Sequence, residues 1–555
     1  MNTDLIRVYK SVHTWTGILS GLALFIAFYA GAITVFKEPL VRWASPPGLG
    51  QVEAVSLEEA SDLVVKTLTA HPEAGKDLRL HLKPAEHLSS RVSWQLRDQS
   101  SDDHGSHDSH HFTATLDQDG ELITREAHPS QLGEFIDTLH RVVGLPFDSE
   151  PNRWIMGVIA SLYVVALVSG VIILLPTLVK DLFALRLGKN LKRMWLDAHN
   201  VVGIVSLPMH LLMALTAVVF AFHDPIYIVQ DKLIHEGGLR QAFQSGLPGA
   251  APDQPTDPVK MLPATEMIAR VQALSPTFEP YMLQYVGVTT PRAQVRVWGR
   301  DEHTIVARAW GGFAPVNPYT GEVMSLEYMP VLQSEASATL SSFFSLHFAS
   351  YGGDTVRWIY FLLALAGAWL FYTGNLLWVE SRRRKQKRDG QSPLPGQRRD
   401  TLIMAALTVG ICLGSVSGIS ITIAAAKWLN GYGELLADWH RYIYYLIFFA
   451  SILWSLLRGA ARASVELLWL AGLTTLLIPL TSMLGVTLPS LGIWSHPATA
   501  TLAVDITALA GGLGFLWMAR ITARRVYHGQ PLDTLWSLRT VNDSSTANSK
   551  IIVGK

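Results

Sequence analysis

Eight stretches of mostly apolar residues interrupt the chain, at roughly 16–36, 154–176, 200–222, 356–379, 401–426, 441–457, 464–486 and 499–519. A helix needs about 20 such residues to cross a bilayer, so each predicts a span. Two long polar segments separate them, about 45–150 and 224–350. Each opens with a helical stretch, 56–72 and 262–276, and continues with the apolar/polar alternation of half-buried strands. "DLRLHLKP", "RVSWQLRD" and "HFTATLDQDGELI" carry it in the first, "AQVRVWG" and "TIVARAW" in the second. "LDQDGELI" and "VNPYTGEVM" read as hairpins with a glycine at the turn. The expected fold is a polytopic α-helical membrane protein with two extramembrane α+β domains. Its divisions are 1–44 (N-terminus and first span), 45–150 (first domain), 151–223 (spans two and three), 224–350 (second domain), 351–390 (span four and a basic loop), 391–530 (four further spans) and 531–555 (tail).

The first span follows "MNTDLIRVYK". It is longer than a signal-peptide core and shows no small-residue cleavage site, so it is expected to be retained. Basic residues set the orientation. Arg7 and Lys10 precede span one; Lys180, Arg186, Lys189, Lys192 and Arg193 lie between spans two and three; "RRRKQKR" (382–388) follows span four. Arg458 and Arg462, then Arg520, Arg524 and Arg525, fall on the same side if the spans number eight. The alternate short loops, 427–440 and 487–498, hold Lys427 alone. Both termini are therefore expected in the cytoplasm and both polar segments outside it, in the periplasm if the host is a Gram-negative bacterium.

Composition narrows the chemistry. Of 555 residues 49% are hydrophobic and only 16% charged, against about 25% charged in ordinary soluble chains. Seventeen Trp and twenty Phe suit interfacial aromatic belts. A net charge of zero gives no pull toward nucleic acid. The single cysteine, Cys412, excludes an internal disulfide, Cys-ligated iron–sulfur clusters and a thioether-linked haem. No dinucleotide fingerprint or P-loop is found.

An internal repeat points further. With His13 placed on His199, "HTWTGILSGLALFIAFYAGAITVF" aligns with "HNVVGIVSLPMHLLMALTAVVFAF", and Gly17 and Ser20 meet Gly203 and Ser206. With His140 placed on His347, the following "NRW" and "VRW" nearly coincide. Repeats of equal orientation pack about an axis along the membrane normal, which sets equivalent residues face to face. His13/His199 would then pair at the cytoplasmic end and His140/His347 at the outer end. Paired imidazoles can supply both axial positions of a b haem. The plainer reading is four interfacial histidines. His210 lies 11 residues after His199, on its face if the helix is continuous; it is an alternative ligand or a hydrogen-bonding group. His440, in "LADWHRYIYYL", is a candidate for a third haem or an interfacial residue, as is His496 for the latter. In "SDDHGSHDSHHF" (101–112), His104, His107, His110 and His111 could capture a divalent metal weakly, or simply belong to a polar loop between strands.

"VHTWTGILSGL", "LHRVVG…NRWIMG", "DAHNVVGIVSLP" and "LHFASYGGDTVRW" resemble the recurring motifs of the PepSY-associated transmembrane-helix family, over about residues 5–385. The outer segments then resemble PepSY modules, and the last four spans an extension found in some members. The family includes iron-regulated inner-membrane proteins and ferric-siderophore reductases. The resemblance implies two b haems ligated by His13, His199, His140 and His347, and electron transfer across the bacterial inner membrane to a periplasmic ferric-siderophore, with release of ferrous iron. The donor would be a membrane quinol or a cytoplasmic reductase. One departure is visible: the family's Gly-Glu after the fourth histidine is Ala349-Ser350 here. Two other classes compete, a permease for metal or metal chelate and a non-enzymatic regulator of peptidase activity.

Overall fold

The computed structural model describes residues 3–47, 56–82, 90–97, 109–117, 119–178, 191–234, 236–237, 256–306, 311–385, 393–430, 436–529 and 532–538. In chain order, α1 (Thr3–Thr34) and α2 (Lys37–Ala44) lead to α3 (Leu57–Ala70), β1 (Leu78–His81), β2 (Val92–Arg97), β3 (Ser109–Leu116), β4 (Leu122–Ala127) and α4 (Leu132–Arg141). Then come α5 (Glu150–Leu174), α6 (Leu191–Val205), α7 (Leu207–Ala221) and α8 (His223–Leu233). The second polar segment holds α9 (Ala264–Leu274), β5 (Glu279–Val286), β6 (Gln294–Arg300), β7 (Gly312–Val316) and α10 (Glu335–Phe348). The chain closes with α11 (Gly353–Arg382), α12 (Arg399–Ala426), α13 (Leu436–Arg458), α14 (Ala460–Thr487) and α15 (Thr499–His528).

Seven of these helices are long and apolar enough to cross a membrane, and α6 with α7 makes an eighth if that bent pair is one span. The protein is therefore a multi-pass membrane protein. The expected continuous span over 200–222 is corrected: α6 and α7 meet at 69°. The cause lies in "SLPMH". Pro208 sits in the first turn of α7; it has no N–H to bond back across the junction, and its ring clashes with the carbonyl four residues earlier. His199 on α6 and His210 on α7 therefore do not share one helical face, as a continuous helix would have required.

The two polar segments do not form separate domains, as the pattern suggested. They build one seven-stranded antiparallel sheet in the order β4-β3-β2-β1-β5-β6-β7. β1 pairs β5 across the middle, Leu78 opposite Tyr285 and Leu80 opposite Leu283. Each half alone would leave a row of unpaired backbone groups on that strand, and joining the halves satisfies both. α3 and α9 cover one face over a shared core in which Leu63, Leu68, Met267 and Val271 meet Leu78, Leu80, Leu283 and Tyr285. α3 starts where the sequence signals it, with Ser56 and Glu59 in a reciprocal capping box. The 116–123 hairpin forms as read, Leu116 opposite Leu122, with Gly120 at φ 79°. In "TIVARAW", 304–306 are not strand and 307–310 lie outside the described residues.

The last four helices are not a detached appendage. Ile26, Ala30, Trp43 and Phe135 of the first half pack with Ile419, Tyr444 and Ile478 of the extension. The Trp43 indole N–H reaches Ser482 Oγ (3.0 Å) and Asp505 Oδ1 (2.9 Å). Lys427 is 3% exposed; its Nζ stands 3.7 Å above the Trp43 ring and donates to Ser482 Oγ and the Trp494 carbonyl. The one basic residue of those two short loops thus joins the two parts of the bundle.

Candidate functional site

Four of the predicted histidines come together in two pairs. His13 and His199 have ring centroids 6.5 Å apart, and His140 and His347 6.0 Å. A metal held about 2 Å from each Nε2, with about 1.1 Å more to each ring centre, would set two ligating imidazoles about 6.2 Å apart. Both pairs match that separation. His140 lies at the depth of Ala27 on α1, 27 − 13 = 14 residues beyond His13, or about 21 Å along a helix at 1.5 Å per residue.

The tautomers follow from the hydrogen bonds. His13 Nδ1 lies 2.8 Å from the Ala166 carbonyl, and His140 Nδ1 2.8 Å from the Ala27 carbonyl. A carbonyl only accepts, so both Nδ1 atoms carry the proton. His199 Nδ1 lies 3.1 Å from Thr373 Oγ1, and His347 Nδ1 2.7 Å from Thr216 Oγ1. Each threonine has already donated its hydroxyl proton to its own helix, Thr373 to Leu370 O and Thr216 to Leu212 O. Each must therefore accept from the imidazole. In the neutral form all four rings are thus Nδ1–H tautomers with the lone pair on Nε2, the arrangement that orients histidine as a metal ligand. Burial beside His140 pushes His347 down to about 3, so that ring stays neutral. The partners of His13 and His199 stand 373 − 166 = 207 residues apart, the same offset as His140 to His347 (347 − 140 = 207), while those of His140 and His347 stand 216 − 27 = 189 apart.

Glycines make room for the rings. A Cβ on Gly31 would lie 2.8 Å from His140 Nδ1, and one on Gly170 3.0 Å from His13 Cε1. Gly17 and Gly203, which mark the repeat in the sequence, do no such work. A Cβ on Gly17 meets nothing within 4 Å, and one on Gly203 meets only Leu370, at 3.7 Å.

α4, which carries His140, is held by ion pairs. Lys37 Nζ contacts Glu134 at 2.6 Å and Asp137 at 3.0 Å; Arg141 bridges Glu134 at 2.7 Å and also pairs with Asp148, which Arg153 holds at 2.6 Å. Burial works to raise the Asp137 pKa, but Lys37 and Arg141 outweigh it and hold the carboxyl below its usual value. A pKa lower folded than unfolded means the clamp is fully present above about pH 4 and is lost as pH falls through the depressed value. Docking of α4 should therefore be unchanged between pH 7 and about 5. Asp137→Asn should cost about 2 kcal/mol, read as faster amide exchange across 132–141 at neutral pH; unaltered exchange would refute the clamp.

Between the two pairs lies an aromatic group the sequence did not reveal. Phe28 stands 5.9 Å from Tyr163 and 5.1 Å from Phe371, ring to ring. His210 belongs to this group rather than to either pair. It is fully buried, its Nδ1 bonds the Tyr163 hydroxyl, and its Nε2 has no partner. His210 as a replacement ligand for His140 or His347 finds no support in this placement.

The remaining candidates are scattered. His440 is buried, and among the described residues both its ring nitrogens are unpaired and the ring recorded beside it is Phe135. His496 Nε2 bonds the Ser45 carbonyl. His110 and His111 lie on β3, His110 with its Nδ1 2.8 Å from Glu126; His104 and His107 lie outside the described residues. After His347, Ala349 occupies the left-handed region (φ 51°) as the C-cap of α10, a conformation that costs an alanine about 1 kcal/mol.

The sheet presents its uncovered face to the sheet end of the bundle, since Arg300 reaches Glu38 of α2 at 3.9 Å. On this face Arg296 stands 5.3 Å over the Phe313 ring, beside Trp298.

The family model described as the PepSY-associated TM region matches residues 10–381, which takes in both histidine pairs and the whole sheet and stops before α12. No curated protein matches the chain.

Proposed function

The chain belongs to the PepSY-associated transmembrane family, and from that premise we propose that it is a di-haem b oxidoreductase of the bacterial inner membrane. It passes electrons outward to a ferric-siderophore in the periplasm, and ferrous iron is released. The observation that carries this reading is the double pair of Nδ1–H imidazoles, spaced at 6.5 and 6.0 Å as axial ligands require. His13 and His199 would hold the haem at the cytoplasmic end, His140 and His347 the one at the outer end. A b haem supplies reversible one-electron transfer when bound.

The protein's own part is positional. Ala166, Thr373, Ala27 and Thr216 fix ring orientation through Nδ1. Phe28, Tyr163, His210 and Phe371 fill the space between the pairs and exclude water. Hard oxygen donors bind ferric iron far more tightly than ferrous, so reduction at the outer face weakens the chelate. Arg296, with Trp298 and Phe313, offers charge and ring surface for an anionic chelate docked under the sheet.

Purified protein expressed with ample haem should show reducible low-spin b-type absorption bands and two haems per polypeptide. Colourless protein would reject the proposal and return the chain to a permease or a regulator.

A further inference from the structure

The reading above leaves the electron donor open and gives the last four spans no task. One cavity bears on both. It has a volume of about 210 Å³ and lies where α1 and α11 meet α12, α14 and α15; a space of about 150 Å³ holds a benzene ring. Its walls are apolar, with Ile33, Phe361, Ile423 and Val504 among them. Thr507 also lines it, and so do three hydroxyls that lie together, of Tyr29, Ser420 and Thr475.

Those hydroxyls form a chain with a direction. Thr475 donates to the Ala471 carbonyl at 2.7 Å. Ser420 lies 2.9 Å from Thr475 and must therefore donate to it. Tyr29 lines the cavity with Ser420, whose only proton is spent, so in a bond between the two Tyr29 is the donor. The tyrosine oxygen is left with free acceptor capacity beside the cavity. An apolar pocket with a few hydroxyl oxygens as acceptors, Thr507 among them, suits an apolar molecule whose head carries O–H groups.

The cavity is also close to one of the histidine pairs. Ala27 and Gly31 turn to His140, while Tyr29 and Ile33 line the cavity. Two residues apart on a helix is 200°, so these are opposite faces of α1, and one helix width, about 10 Å, separates cavity from ring.

We propose that this cavity binds an isoprenoid quinol, and that the last four spans serve to complete its binding site. The proposal rests on the redox reading of the His140/His347 pair. Both O–H bonds of the quinol break. Its two protons pass to water, and its two electrons reduce two ferric ions, one each, in successive steps. The quinone returns to the bilayer.

The test uses the full-length protein in detergent, with decylubiquinol as reductant and an azido derivative of a short-chain quinone as photolabel. Label should appear on peptides of α1 and α15 and be competed by decylubiquinol. Ala503→Trp, which fills the cavity, should lower both labelling and the rate of quinol-driven haem reduction at least tenfold. Dithionite should still reduce both haems of that variant fully. Ser420→Ala, which keeps the volume but breaks the hydroxyl chain, should slow the quinol reaction less. Label elsewhere, phospholipid acyl chains as the only occupant, or unchanged rates in both variants would overturn the proposal. Labelling of the cavity in protein that carries no haem would sink the redox reading while leaving the site in place.

Discussion

His347→Ala is expected to yield protein with one haem in place of two, and the haem that remains should be the one between His13 and His199. The two pairs share no ligand and lie about 21 Å apart along α1, so loss of one should not disturb the other. His140→Ala should give the same product. The double variant His140→Ala/His347→Ala should be no worse than either single one, because the two rings act as one unit and their effects do not add. His199→Ala should remove the other haem. Haem content by pyridine haemochrome assay and the split of the reduced absorption band would read all four. Full retention of both haems in His347→Ala would disprove the pairing, and so would loss of both from a protein that still folds.

Gly31→Val should lose the same haem without touching a ligand. Any Cβ at position 31 comes within 2.8–2.9 Å of the His140 ring, closer than non-bonded atoms approach. The ring or α1 must shift, and forced shifts in a packed site cost about 1–3 kcal/mol, some 5- to 150-fold in occupancy. The Nδ1–H bond from His140 to Ala27 would be strained together with the lone pair it orients. Gly203→Ala is the matched control: its added carbon meets a single neighbour at 3.7 Å and should leave haem content unchanged. Equal behaviour of the two variants would show that the close fit around His140 is unimportant.

These two outcomes separate what the sequence could reveal from what it could not. The spans were readable because a run of apolar residues has only one home. The two histidine pairs were readable because the sequence alignment placed His13 over His199 and His140 over His347. The bend at Pro208 was also present in the sequence, in "SLPMH", but the apolar run around it conceals the missing N–H. β7, "GFAPV", is buried at every position and so shows no alternation. β5, "EPYMLQYV", carries a register shift between Pro280 and Met282 that breaks its pattern. The pairing of β1 with β5 spans some two hundred residues of chain and has no local signature. The Nδ1 partners were hidden for a different reason: a backbone carbonyl, such as that of Ala27 or Ala166, is offered by every residue type. The aromatic bridge needed three dimensions too, since Phe28, Tyr163 and Phe371 come from three helices.

The central β1–β5 ladder has a consequence for how such a molecule can be divided. Its register runs head to tail about its own midpoint, Leu78 with Tyr285 and His81 with Met282, as two copies of one strand would if related by a dyad. A half-length chain, cut ahead of α9, could complete the same sheet only by recruiting a twin. Such a fragment should therefore behave as a homodimer or precipitate, whereas in the intact polypeptide β5 supplies the partner of β1 by covalent linkage.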